Sequence, residues 1–142
     1  MRLTRRGLLA TVWATGVAAC AGAPRLGAVG EAGPDATELA AMIRRGDASS
    51  LEIVNAAIPR AEKIDPQINF MVNDSYALAR ARAATQLSGP FAGVPYMIKD
   101  LNNQKGVVTR HGSRVTEGRP PAATEDVYIT RTFELGLVSI GK

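Results

Sequence analysis

Lys99 is the residue whose surroundings most favour chemistry in this sequence. It directly follows the apolar residues 96–98 and precedes Asp100. An apolar run without helical period, entered through Pro95, is typical of a buried strand. Because burial disfavours the charged form of an amine, a lysine at the end of such a strand can serve as a base near neutral pH. A lysine in this position is, however, more often a solvated surface group, so both interpretations stay open at this point.

The remaining polar residues offer weaker candidates. His111 and Ser113 lie two residues apart in one predicted loop, without a third carboxylate to orient them. Asp100 is adjacent to Lys99, but alternate residues of a strand face opposite sides, so we do not expect the two to pair. The chain has one histidine and one cysteine. This excludes zinc sites built from several histidines or cysteines, and we expect neither a metal nor a cofactor.

The charge of the chain gives no sign of a nucleic-acid partner. The formal net charge is +4, from 17 Lys and Arg against 13 Asp and Glu. Three of the arginines, Arg2, Arg5 and Arg6, lie in the first 23 residues, where there is no acidic residue. Without them, 14 basic residues remain against 13 acidic ones. Because nucleic-acid binders usually carry a clustered basic surface, we expect no nucleic-acid partner.

The first 23 residues have the three-part composition of a secretory signal. A short basic stretch precedes the uncharged, mostly apolar residues 7–19, which are too few for a permanent membrane helix of roughly 20 residues. The pair Arg5-Arg6 before this stretch resembles the twin-arginine export signal. Residues 17–20 resemble a bacterial lipobox with Cys20 as the lipidated residue, and plain cleavage after Ala23 is the alternative. We therefore expect the export machinery to deliver the protein to the periplasm, either free or anchored to a membrane that faces it.

A helical region follows the signal. Residues 24–34, rich in Gly, Ala and Pro, predict a flexible tether. Asp35 and Gly46 have the residue types expected at the start and the end of a first helix. An alanine-rich helix is predicted over residues 77–87, and its two arginines are interpreted as solvated surface charges.

A second helix is predicted between these two. Ser49 starts a capping-box pattern, and apolar residues then recur at intervals of three and four. Pro59 lacks a backbone donor and should kink or divide this helix. The residue before Pro66 is disfavoured in helical geometry, so we expect the helix to end at about residue 64. The short apolar segment 68–72 is expected to be extended.

The second half of the chain combines strands with a helix. Residues 96–98 and 137–140 predict buried strands. Between them, Gly112-Ser113 predicts a turn, and a final helix is expected to start at Thr124 or Glu125 and to end at Gly136. Helices that alternate with strands indicate an α/β fold.

Three segments resemble the amidase-signature family, in the order in which that family has them. Residues 93–101, Gly-Val-Pro-Tyr-Met-Ile-Lys-Asp-Leu, resemble its G-V-P-hydrophobic-x-hydrophobic-K-D segment. They are followed by Thr109-x-x-Gly112-Ser113 and by an acidic helix that ends in Gly136-x-x-x-x-Gly141-Lys142. The helical region 35–87, including Asn69-x-Met71-Val72, also resembles the start of the family, so the resemblance covers about residues 35–142. It implies the N-terminal part of an amidase domain, in which helices lead into the first strands of a mixed sheet that is incomplete here.

The resemblance implies that a carboxamide is hydrolysed by a serine nucleophile, a second serine next to a cis peptide bond, and a lysine. Lys99 matches the lysine position. The two serines of the family lie downstream of its Gly-Lys pair, and none of the six serines of this chain matches them. We therefore expect the N-terminal part of a longer exported amidase that acts on a small-molecule amide, with the chain itself inactive.

A second interpretation belongs to a different class of protein. The same features fit a non-catalytic, membrane-tethered binding or interaction lipoprotein that reuses the N-terminal region of an amidase. The DNA sequence beyond the codon for Lys142 discriminates between the two. The residues present do not specify which amide is the substrate.

Overall fold

The structure, a computed structural model, describes residues 33–142. Within them, four α-helices and a two-stranded sheet confirm the predicted α/β class. The export and lipidation residues Arg5, Arg6 and Cys20 lie outside the described range, so their roles stay predictions. The elements are, in chain order, α1 (Ala36–Arg45), α2 (Ser50–Ile68), α3 (Tyr76–Ala83), β1 (Pro95–Met97), a 3-10 turn (Arg114–Thr116), α4 (Val127–Glu134) and β2 (Val138–Gly141).

Capping residues determine both ends of α1 and the start of α2. The Asp35 carboxylate accepts a hydrogen bond from the Glu38 N–H at 2.9 Å. Gly46 ends α1 with a φ of 77°, a left-handed conformation that costs glycine little. Ser49 and Glu52 form the predicted capping box, and the hydrogen bond from the Ser49 backbone lowers the pKa of Glu52. The predictions from these capping residues are confirmed.

The second helix is not divided at Pro59, and the prediction that it ends at about residue 64 is wrong. α2 continues without a break over 19 residues, through both Pro59 and Pro66. Each proline is exposed, so a carbonyl that loses its intrahelical partner is free to bind water. The opposite face of α2 is buried, including Val54 and Ile58, and this packing holds the helix in place. α2 therefore reaches into the segment expected to be extended, and it ends at Asn69, whose φ is 49°.

α3 is shorter than the predicted segment 77–87. It ends early because Thr85 donates both its N–H (3.0 Å) and its hydroxyl (2.7 Å) to the Arg82 carbonyl. The interpretation of Arg82 as a solvated charge is wrong, since its guanidinium donates to the carbonyls of Phe133 (2.7 Å) and Leu137 (3.0 Å). Burial accordingly lowers the pKa of Arg82. This side chain ties α3 to the junction between α4 and β2.

β1 and β2 pair in parallel. The register places Pro95 opposite Val138 and Met97 opposite Gly141. Beyond the last pair, the Ile98 N–H donates to the Gly141 carbonyl at 3.0 Å. Both predicted strands are confirmed, with their ends displaced by a residue. The carboxyl ends of the two strands meet at one edge of the sheet, which is where α/β proteins commonly form their sites.

A segment before α3 pairs with the end of β2. The Val72 N–H donates to the Lys142 carbonyl at 2.7 Å, and the Lys142 N–H donates to the Asn73 carbonyl at 2.9 Å. The Ser75 N–H donates to the Ile140 carbonyl at 3.0 Å. The backbone of β2 is therefore held by β1 and by this antiparallel segment.

β2 lies in the centre of the apolar core. All four of its residues are buried. Val138 and Ile140 belong to one cluster with residues of α2 and α3, namely Val54, Ile58, Ala61, Ala79 and Ala83. None of the helices in residues 33–142 is long and apolar enough to cross a membrane.

α4 begins later than expected, at Val127 rather than at Thr124 or Glu125. The Asp126 carboxylate occupies the capping position but accepts a hydrogen bond from the Asn103 N–H at 2.8 Å instead of binding the helix. In return, the Asp126 N–H donates to the Asn103 carbonyl at 3.0 Å. This exchange fixes the start of α4 to the loop that follows β1.

Candidate active site

Lys99 lies just after β1, at the edge of the sheet where both strands end. Its carbonyl accepts hydrogen bonds from the N–H groups of Leu101 (2.7 Å) and Asn102 (3.3 Å), so the backbone turns sharply there. Of the two interpretations of this lysine, the structure shows the solvated one, because Lys99 is exposed while Ile98 is 1% exposed. Among residues 33–142, the Lys99 ammonium has no ion-pair partner.

Asp100 pairs with Lys142. It does not pair with Lys99, as the alternation of side chains along a strand predicted. Asp100 Oδ1 lies 3.2 Å from Lys142 Nζ. The two oxygens of Asp100 also accept hydrogen bonds from the Arg110 N–H, at 3.2 and 3.1 Å. One carboxylate thus joins the turn after β1, the end of β2 and the loop that carries Arg110.

Lys142 is a buried lysine, with 3% of its surface exposed. In addition to Asp100, its Nζ donates to the Thr109 hydroxyl at 2.5 Å and to the Val108 carbonyl at 3.4 Å. An ammonium has three N–H donors, so these three acceptors satisfy it and offset the cost of its burial. Lys142 lies in a segment that resembles the family, but its sequence context alone indicated no role for it. The available signal was its position two residues after the apolar strand 137–140.

The Thr109 hydroxyl completes the connection to the turn after Lys99. It accepts from Lys142 Nζ and donates to the Asn102 carbonyl at 3.3 Å. Asn102 in turn donates its N–H to the Lys99 carbonyl. The ammonium of Lys142 is therefore linked to the backbone of Lys99 by two short paths, through Asp100 and through Thr109.

His111 and Ser113 do not form a catalytic pair. His111 is exposed and has a φ of 54°. The Ser113 Oγ accepts a hydrogen bond from the Val115 N–H at 3.3 Å and so caps the 3-10 turn. This confirms the prediction that Gly112-Ser113 is a turn.

Two further serines have structural hydrogen bonds. The Ser75 hydroxyl donates to the Ser139 carbonyl at 3.0 Å, and the Ser139 hydroxyl lies 3.0 Å from Gln104 Oε1. Both serines are buried. In the part of the chain that the structure describes, no group of three or more His, Cys, Asp or Glu residues is placed to hold a metal ion.

Comparison with known proteins identifies the family of the chain. The family model described as Amidase matches residues 52–142. The chain belongs to the amidase family. Its curated relatives include AmiC of Mycobacterium tuberculosis, named as an amidase, which is 40% identical over 76% of this chain and 23% of that protein. They also include a 6-aminohexanoate-cyclic-dimer hydrolase of Paenarthrobacter ureafaciens, 34% identical over 76% of this chain and 22% of the hydrolase.

Solved structures agree with this membership. The amidase chain superposes on 6-aminohexanoate cyclic dimer hydrolase with a TM-score of 0.72 and 31% identity, over 77% of this chain and 23% of the hydrolase. Fatty acid amide hydrolase, at 24% identity and a TM-score of 0.68, shares the fold. The amidase chain spans about a quarter of the length of the relatives that it matches.

The segments that carry the family resemblance converge in this amidase chain. Asp100, Thr109 and Lys142 come from three different matched segments and meet in one hydrogen-bonded cluster. Lys99 lies next to that cluster with its side chain exposed. The amine of Lys99 is therefore accessible, whereas the amine of Lys142 is buried and fully hydrogen-bonded.

Proposed function

We propose that the full-length protein hydrolyses the C–N bond of a carboxamide, with Lys99 as its catalytic base. Membership of the amidase family supports the reaction class. The observation that carries the assignment of Lys99 is its exposed position at the edge of the sheet where β1 and β2 end. The neighbouring Asp100 is already paired with Lys142. An amine in this position is available to a group that approaches the edge of the sheet.

The proposed reaction proceeds by proton relay. Neutral Lys99 takes a proton from a bridging serine, which takes one from a second serine as the oxygen of that second serine bonds to the amide carbon. The protons return by the same path to the departing nitrogen as the C–N bond breaks. Water then hydrolyses the acyl ester and releases the carboxylic acid. Neither serine is at a matching position in residues 1–142, so we expect this part alone to be inactive.

The substrate proposal is limited to a small molecule with a carboxamide group. The relatives differ by name: one is a cyclic-dimer hydrolase, and another, 37% identical over 75% of this chain and 23% of its own length, belongs to the glutamyl-tRNA(Gln) amidotransferase of Salinispora arenicola. Export, which we also propose, disfavours an RNA-linked substrate. The choice among amides rests on residues outside the matched segments.

The reaction class is tested with the DNA beyond the codon for Lys142 and with the protein it encodes. We expect an open frame that continues with Thr-Asn and later encodes a Gly-Ser-Ser-Gly type of segment. The purified full-length protein should release ammonia or amine from some members of a panel of aliphatic, aromatic and cyclic amides. A stop codon after Lys142, with an abundant stable product, would instead support the non-catalytic lipoprotein.

The proposed export is tested separately with a reporter fused after residue 33. The reporter should leave the cytoplasm, and the double variant Arg5→Lys with Arg6→Lys should retain it there. If Cys20 is lipidated, Cys20→Ser should remove the lipid and release the protein from membranes. Unchanged export of the double variant would indicate a general secretory signal, and unchanged membrane attachment of Cys20→Ser would rule out lipidation at Cys20.

A further inference from the structure

We propose that Lys142 is a positioning residue for Lys99, acting through Asp100 and Thr109. The inference rests on the proposed function, since it assigns to a buried lysine the task of holding the catalytic one. Lys142 itself does not reach solvent, because none of its side-chain surface is exposed. Because all three of its N–H donors are also bound, we assign it no role as a second base, and its effect is carried by the groups it binds.

The first path from Lys142 to Lys99 is electrostatic. Asp100 does not pair with Lys99, but it is the next residue in the chain and its side chain is 10% exposed, so its charge acts on Lys99 through a weakly screened field. Left alone, a carboxylate at this depth would disfavour loss of a proton from the neighbouring lysine. The Lys142 ammonium at 3.2 Å compensates that charge. The charged side chains of this cluster are Lys142 and Asp100, and Arg110 contributes its backbone N–H.

The second path is mechanical. Lys142 donates to the Thr109 hydroxyl, which donates to the Asn102 carbonyl at 3.3 Å. The Asn102 N–H binds the Lys99 carbonyl at 3.3 Å, so this chain of bonds closes the turn that begins at Lys99. The backbone of Lys142 is itself fixed by Val72 and Asn73. The buried Lys142 at the end of β2 thus fixes the position of the turn after β1.

The proposal is tested in the full-length protein with Lys142→Met, which keeps the length of the side chain and removes its charge. We expect kcat to fall by about tenfold or more with little change in KM. The acidic limb of the kcat/KM pH profile should move upward by roughly half a pH unit or more, because Asp100 is no longer compensated. Lys105→Met, at an exposed lysine of the same chain, is the matched control and should change neither quantity.

A second variant separates charge from structure. Lys142→Met combined with Asp100→Asn removes both charges, and it should return the pH profile towards that of the wild type even if kcat stays low. A profile that does not move in Lys142→Met, or that does not return in the double variant, would overturn the electrostatic part of the proposal.

Amide hydrogen exchange tests the mechanical part without any assay of turnover. In Lys142→Met, exchange should accelerate at the N–H groups of Arg110 and Asn102 and remain unchanged at that of Glu38, which caps the distant α1. Unchanged protection of Arg110 and Asn102 would overturn the positioning role. If the full-length protein hydrolysed no amide, the proposed function would fail, while the exchange experiment would still decide whether Lys142 holds the turn.

Discussion

Lys99 and Lys142 follow two neighbouring parallel strands, yet their amines have opposite surroundings. Lys99 is exposed, whereas Lys142 is buried against Asp100, Thr109 and the Val108 carbonyl. A buried lysine with three acceptors is committed to its partners, and breaking such a set is costly because the remaining carboxylate stays buried without its counter-charge. One lysine is therefore accessible to other groups, whereas the other holds the ends of the strands together.

The hydroxyls of Tyr96 and Tyr128 lie 2.9 Å apart and form a hydrogen bond. This hydrogen bond, together with burial, raises the pKa of Tyr96 from 10.0 to about 12. A raised pKa means that the folded state favours the neutral phenol, so the stabilisation is complete below pH 10 and is lost as the pH rises towards 12. Tyr128→Phe should move the midpoint of the Tyr96 titration down towards its ordinary value.

The titration is measured by NMR of protein labelled in the tyrosine rings, with Tyr96→Phe used to assign the Tyr96 signal. An alkaline midpoint that persisted in Tyr128→Phe would show that the neighbouring hydroxyl is not the cause of the shift.

The junction between α4 and β2 depends on Gly136. Its φ is 89°, and a Cβ at this position would lie 2.5 Å from the Ser88 carbonyl oxygen and 2.6 Å from Ala92 Cα. Because both contacts are with backbone, they are not relieved by a change of rotamer. Gly136→Ala should therefore lower the free energy of unfolding by about 3 kcal/mol or more, from left-handed strain and overpacking together.

Gly46→Ala is the matched control for this element. Gly46 has a similar φ of 77°, but a Cβ there would meet nothing within 4 Å. Gly46→Ala should therefore lower the free energy of unfolding only through left-handed strain, by about 1 kcal/mol. The two variants are compared by urea denaturation of the full-length protein. Equal decreases in the free energy of unfolding would show that the close backbone contacts at Gly136 do not contribute to the effect.

The elements also show which features sequence can predict. The capping residues Asp35 and Ser49 predicted helix starts correctly, because a cap is a local interaction within four residues. The end of α2 before Pro66 was predicted wrongly, since burial of the opposite helix face outweighs one lost hydrogen bond. The burial of Lys142 was not predicted, because its partners Asp100 and Thr109 are distant in sequence and come together only when β1 and β2 pair.

At the scale of the whole molecule, the described sheet has only two strands, while the chain spans about a quarter of the length of its relatives. Outer edges of strands left without partners invite aggregation. We therefore expect isolated residues 24–142 to be poorly folded. A sharp cooperative thermal transition from a purified monomer, measured by circular dichroism, would contradict this expectation and favour an independent module.

The proposed amide hydrolysis as a whole depends on Lys99 being its base. Lys99→Met keeps the length of the side chain and removes the amine, and an exposed position should accept it without loss of the fold. Lys105→Met provides the same change at another exposed lysine. The decisive measurement is kcat of the full-length protein for an amide that the wild type hydrolyses, with folding of each variant checked by circular dichroism.

We predict that Lys99→Met lowers kcat by about a hundredfold or more, which is the scale of general acid–base groups, while Lys105→Met retains wild-type turnover. Turnover retained in a folded Lys99→Met variant, with substrate binding intact, would contradict the assignment of Lys99 as the catalytic base.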